Sequence, residues 1–313
     1  ERVRLRRIIS APVRHAGMTL LSPTERRLLR DATPAERVAL VVGAPRSGTS
    51  LVFELLVTRG RFAYFSNAAH RFWKTPAAAT RLFRGAIRNW RGDLTSSYGH
   101  IPGWGAPSEA GWVWGRWTPE ETPLTARDAA RVDLETMRRT VGAVSEALGA
   151  PFVSKNVMHG VHLELLREAF SEMALIHVRR DVADNARSLL RARESEGDAA
   201  RWISVRPEGW ENARSQAPAA QCAEQVRLID AQIERDATRW SIPRIEIEYD
   251  AVCERPRDVI DGAIEWLCEQ GLSIERRGEI PERLERRAGR RLPPADEAVL
   301  EKALRRVREG SPA

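Results

Sequence analysis

Lysine is almost missing from this chain. Of 50 basic residues only Lys74, Lys155 and Lys302 are lysines, so arginine carries nearly all the positive charge. Chemistry that needs an amine has few places to go, and Lys155 is conspicuous for that reason. Cysteine is equally scarce. Cys222, Cys253 and Cys268 are odd in number and lack metal-ligand spacing. Their pattern argues against a disulfide framework and fits a reducing, cytoplasmic setting. No run of about 18 apolar residues occurs, so the sequence offers no transmembrane span. It also lacks a metal-ligand cluster and a nucleic-acid motif, so neither a metal nor a nucleic-acid partner is expected.

What is present is a chain of 313 residues, 42% apolar, with a formal net charge of +7. That length buries one large core or two modest ones. The basic surplus reads as a solvated surface or as attraction for anionic ligands. Residues 1–36 are Arg-rich and partly amphipathic, through Val3, Leu5, Ile8, Ile9, Leu20 and Leu21. They read as a basic helical extension packed on the rest. The alternative is a membrane-surface arm making peripheral contact.

Residues 37–50, Arg-Val-Ala-Leu-Val-Val-Gly-Ala-Pro-Arg-Ser-Gly-Thr-Ser, are the most informative stretch. An apolar strand enters a Gly-bearing turn that opens a helix. In that layout backbone N–H groups and a helix N-terminus cradle an anion. Gly43 and Gly48 have the spacing of a nucleotide-binding P-loop. Thr49, however, stands where the Walker lysine belongs, and Arg46 lies inside the loop. A phosphate loop without that lysine points away from ATP hydrolysis. It points toward a ligand with a phosphate and a second, transferable anionic group.

Apolar, β-rich runs at Val38–Val42, Pro151–Ser154, Ala174–Val178 and Ile242–Tyr249 predict four strands. Helical patterns are expected over Thr49–Thr58, Ala126–Leu148, Val161–Phe170, Asp181–Arg193, Ala219–Trp240, Pro256–Glu269 and Glu297–Val307. The alternation predicts an α/β fold: a P-loop-type parallel sheet flanked by helices, with its ligand at the strand carboxyl ends. Residues 62–123 carry six tryptophans with several Gly and Pro, and read as an irregular cap insertion. Residues 37–313 are taken as a single domain bearing this cap.

Lys155 follows a short strand. Arg180 follows another and is succeeded by Asp181. Ser188 lies eight residues beyond Arg180, two helical turns on, which puts both on roughly one face of a helix starting near Asp181. An Arg fork and a Ser hydroxyl suit a phosphate. Arg-Asp at a strand–helix turn is otherwise an N-cap with a surface salt bridge.

These motifs together resemble the sulfotransferases that use 3′-phosphoadenosine-5′-phosphosulfate (PAPS), and within them the bacterial branch. Gly43-Ala-Pro-Arg-Ser-Gly-Thr-Ser50 looks like the family's 5′-phosphosulfate loop. Residues 180–188 resemble its 3′-phosphate motif, and Phe152-Val-Ser-Lys-Asn156 its strand-end lysine element. Ile245-Glu-Ile-Glu-Tyr-Asp250, followed by Arg255-Pro256, resembles its later Tyr-bearing strand. The resemblance spans residues 38 to about 268. It implies that Arg46, Ser47, Gly48, Thr49 and Ser50 hold the 5′-phosphosulfate. Arg180 and Ser188 would hold the 3′-phosphate, Tyr249 would line the adenine pocket, and Lys155 would sit near the transferring group. Asn156-Val157 departs from the usual Thr-Pro or Ser-Pro. The closing basic-glycine loop has only Arg287-Ala-Gly-Arg290 as a candidate.

Sulfuryl transfer resembles phosphoryl transfer, in which alignment and electrostatics do most of the work. Arg46 and Lys155 would neutralise charge on the leaving phosphate, with no metal. A general base is still required. His70, Glu109 and His100 are the candidates, and the sequence does not choose among them. His159, His162 and His177 read as packing or solvent-facing residues. The tryptophans read as cap core, with one or two left to line an acceptor cleft. The expected acceptor is a hydroxyl of a carbohydrate or small metabolite. The alternatives are a P-loop kinase or nucleotide-binding protein, and an inactive homologue that retains adenosine 3′,5′-bisphosphate (PAP).

Overall fold

Two prolines, Pro12 and Pro23, fall inside the first helix, α1 (Arg2–Asp31). A computed structural model describes residues 2–92, 94, 101–287 and 291–308. Strand β1 (Arg37–Val42) and helix α2 (Thr49–Arg59) follow α1. Between the first two strands lie α3 (Asn67–Arg71), α4 (Pro76–Leu82), α5 (Arg84–Arg88), α6 (Gly111–Trp114) and α7 (Leu134–Leu148). Then come β2 (Val153–Lys155), α8 (Leu163–Ala169), β3 (Glu172–Arg179), α9 (Val182–Ser195), α10 (Trp210–Arg214) and α11 (Pro218–Arg239). Strand β4 (Arg244–Glu248), α12 (Tyr249–Glu254), α13 (Pro256–Glu269) and α14 (Pro294–Arg308) complete the described chain.

The four strands form one all-parallel sheet in the order β2-β1-β3-β4. Every residue of Val38–Val42 is fully buried. A central parallel strand covered on both faces must be apolar throughout, and β1 is. The register sets Val41 beside Lys155, Val42 beside His177 and Arg179 beside Glu248. The carboxyl ends of all four strands therefore reach one edge, and the loop after β1 starts there. Among the described residues no helix is long and apolar enough to cross a membrane, and all three cysteines are free.

The structure corrects several expectations. The pattern over Ala126–Leu148 is two elements, a 3-10 helix at Ala126–Arg131 and then α7. Asp133 divides them, because its side chain accepts the Thr136 N–H and caps a new helix. The helix expected over Val161–Phe170 is shorter, being preceded by a 3-10 turn at Val157–Val161. The second strand begins two residues late and includes Lys155. Tyr249 starts α12 rather than ending β4. The cap carries four short helices, α3–α6, of four to seven residues each, joined by irregular chain. Trp114 and Trp117 are buried in the main core, whereas Trp104 and Trp112 are about half exposed. Trp114 and Phe152 both meet Phe65 edge-on, which ties the cap to the approach to β2.

The later part of α1 is docked. Met18 is buried, and Arg139 donates to the carbonyls of Leu29, Arg30 and Ala32 at the helix end. Buried Glu25 accepts the N–H groups of Ala77 and Ala78 at the start of α4. Burial raises its carboxyl from 4.5 to about 7, against the pull of those two N–H groups and of Arg116. A raised folded pKa means that the native state holds the proton more tightly than the unfolded chain. The stabilisation is complete below about pH 4.5 and is lost as pH rises through about 7. Stability from Glu25 therefore falls by on the order of 3 kcal/mol between pH 4.5 and 8. Urea titrations at both pH values should show a smaller fall for Glu25→Gln than for the parent. An identical fall in both would remove Glu25 as its source.

Candidate active site

The turn after β1 depends on two glycines. Gly43 has φ +152°, and a Cβ there would lie 2.4 Å from the Val178 carbonyl oxygen. Gly48 has φ +104°, and its Cβ would meet the Tyr249 ring at 2.5 Å. Any side chain at either place collides with backbone or with a packed ring. Arg46 also adopts a left-handed conformation, φ 71°, which is strained for a residue with a Cβ. Ser47 is buried, and its Oγ has no hydrogen-bond partner among the described residues. Beyond Gly48 the chain enters α2, so the turn faces a helix N-terminus.

Lys155 ends β2 with only 3% of its side chain exposed, and its Nζ donates to Glu109 Oε1. Asn156 holds the partner in place. Its Nδ2 donates to the Glu109 carbonyl at 3.0 Å, and its Oδ1 accepts the Met158 N–H at 2.9 Å. The departure from Thr-Pro after the lysine thus has a local use. Ser154 anchors the same strand end through the Trp114 indole N–H and His159 Nε2, each at 3.1 Å.

Arg180 follows β3, and Asp181 caps α9 by accepting the Asp184 N–H. The Arg180 guanidinium lies 4.6 Å from the Tyr249 ring centre. Its Nη1 donates to the Arg46 carbonyl at 3.0 Å and its Nη2 to that of Arg287. Its Nε has no partner among the described residues. Ser188, inside α9, accepts from Arg46 Nε at 3.3 Å. Arg46 therefore joins the two halves of the site: its carbonyl meets Arg180, and its guanidinium reaches Ser188. Tyr249 packs on Gly48, and its hydroxyl accepts the Arg287 N–H at 3.3 Å. Arg287 thus lies on the Arg180–Tyr249 pair, while residues 288–290 of the candidate basic loop lie outside the described residues.

One cavity of about 700 Å³ has Gly48, Thr49, Lys155, Arg180, Ser188 and Tyr249 on its wall. Arg46, Ser50 and Glu109 line it too. Ser47, between two wall residues in sequence, is buried and is not itself on the wall. A second cavity, about 590 Å³, shares Glu109 with the first and includes His70 and Trp104. His70 lines only this second space, and its ring stacks on Trp112 at 4.9 Å. His100 lies outside the described residues.

Three further histidines pack. Burial, with the nearby Lys155 charge, pushes His159 down to about 3. Burial likewise takes His162 down to about 4, and its Nδ1 accepts the Leu124 N–H. Both are neutral at physiological pH. His177 is fully buried and bonded to Asp230. It lies within ligand reach of Glu234 and Glu246, but Arg179 and Arg244 already engage all three.

Sequence reading missed the contacts that span the cap. Lys155 and Glu109 are 46 positions apart, and nothing in either segment announces the other. The Trp114–Ser154–His159 set was equally hidden. Arg287 carried a signal, its basic-glycine context.

Comparison with known proteins matches residues 39–270 to the sulfotransferase family. No curated protein matches the chain. Among solved structures, sulfotransferase STF9 from Mycobacterium avium aligns with a TM-score of 0.51 at 16% identity, over 93% of this chain and 72% of that one. Sulfotransferase STF1 from Mycobacterium tuberculosis gives 0.49 at 15% identity, over 81% and 73%. The sulfotransferase domain of the Synechococcus olefin synthase gives 0.36 at 13%, over 76% and 75%. At that identity the likeness to the first shows a shared fold.

Proposed function

Because this chain belongs to the sulfotransferase family, we propose that it moves a sulfuryl group from PAPS to a hydroxyl of a carbohydrate or small-metabolite acceptor. One observation carries the reading: the Gly43–Ser50 turn and the Arg180–Ser188 pair meet in a single cavity of about 700 Å³. A nucleotide with phosphates at both ends of its ribose asks for two such cradles. The residues fit it on their own chemistry. Ser47 Oγ and Arg180 Nε are buried donors that no described residue satisfies, and leaving such groups unpaired is costly.

Bound PAPS would supply the sulfuryl group, which passes to the acceptor oxygen as PAP leaves. The turn's backbone N–H groups, with Thr49 and Ser50, hold the 5′ end. Arg180 and Ser188 hold the 3′-phosphate, and Arg46 links the two. Tyr249 offers a ring face fixed by Gly48 and Arg180. Lys155 brings a positive charge to the carboxyl edge of β2, where charge builds on the leaving oxygen. Glu109 stands at the junction of the two cavities, so its carboxylate takes the acceptor proton. His70, confined to the second cavity, contacts the acceptor instead.

Arg180→Ala tests the donor assignment. The Kd for PAP should rise about 10–100-fold, the loss expected for charge-assisted bonds to a phosphate. Adenosine 5′-phosphate lacks the 3′-phosphate, so its affinity should fall by much less. Calorimetric titration with both nucleotides reads the difference. An unaltered preference for PAP in the variant would remove the 3′-phosphate role.

A further inference from the structure

The second cavity is cationic and aromatic at once. Arg71, at the end of α3, lines it with its guanidinium over the Trp104 ring. The Trp104 indole lies flat on Phe83, with centroids 5.1 Å apart and planes 4° from parallel. It is therefore held rigid while 47% of it stays exposed. The Arg71 guanidinium sits 5.8 Å from that ring's centre and makes no ion pair among the described residues. Glu109 is the one carboxylate on the described wall, and Lys155 already neutralises it. Arg14, on the ring of Trp112 at 4.6 Å, adds positive charge behind His70.

A half-buried guanidinium with no counter-ion is a site for a planar anion, since its donor fork matches a carboxylate. The exposed part of the rigid indole beneath it offers apolar contact to a ring. We propose that the acceptor carries a carboxylate, seated on Arg71, next to a ring packed on Trp104, with its hydroxyl directed to Glu109. This deepens the sulfotransferase reading and rests on it. The acceptor's own charge, rather than its hydroxyl, then selects it among the many alcohols a cell contains.

The test uses the full chain saturated with PAP and two matched probe pairs, each measured by calorimetry. Hydroxynaphthoate against naphthol covers aryl rings, and methyl glucuronide against methyl glucoside covers sugars. In at least one pair the carboxylate should bind about tenfold or more tighter. That preference should vanish in Arg71→Ala and return in part in Arg71→Lys, with PAP affinity unchanged in both. No preference in either pair, no binding of any probe, or a preference that survives Arg71→Ala overturns the proposal while leaving the donor reading intact. A parent protein that fails to bind PAP sinks both.

Discussion

Lys155→Met should lower turnover about 10²–10³-fold, the usual cost of deleting one group that stabilises transition-state charge. The Kd for PAP should stay within about threefold, because the effect belongs to the transition state and not to ground-state binding. The reason is where the amine sits. Strand register fixes Lys155 beside Val41, one residue before β1 runs out into the Gly43–Ser50 turn. Its side chain is only 3% exposed, so its charge acts where water screens little. Methionine keeps the length and the apolar stem. Glu109 is one-third exposed and can turn to water when its partner is lost, so the fold should survive. Rapid-quench kinetics under single turnover separates chemistry from nucleotide release. Full turnover in the variant would mean that the lysine only steadies Glu109. A weakened Kd with unchanged turnover would move it to the binding site.

The parts of this site that lie within one strand–turn–helix unit were legible in the sequence. Gly43, Gly48 and the run before them specify β1, the turn and α2, since the positive φ of each glycine and the turn's opening into a helix are local. Asp181 announced the start of α9, and α13 runs over Pro256–Glu269 as its proline and apolar spacing indicate. Asp133 hid its cap inside a continuing apolar pattern, because spacing alone does not register a change of helix axis. The short cap helices complete too few turns to show a period, and only packing on the core stabilises them. Glu109 is the sharpest case. Sequence reading sets it level with His70 and ahead of His100. What separates it from His70 is its pairing with buried Lys155 and its place on the wall of both cavities, which are tertiary facts.

That difference makes Glu109→Gln the most discriminating change. Glutamine keeps the shape, and its carbonyl oxygen still accepts from Lys155, but it cannot take a proton. Turnover with an alkyl alcohol acceptor should fall about 10²–10⁴-fold, the range for removal of a general base. The Kd for PAP should hold, because the Gly43–Ser50 turn and Arg180 are untouched. An acceptor that is already ionised needs no base. With nitrophenol assayed above its own pKa, the same variant should therefore lose far less. His70→Ala should instead raise the acceptor KM and leave that contrast between acceptors as it is in the parent. Were the two variants to exchange these signatures, the base would be His70, and Glu109 would be left with the task of holding Lys155. An equal loss on both acceptors would make Glu109 an aligning group, since a base and a positioning carboxylate differ only in whether the acceptor's proton matters.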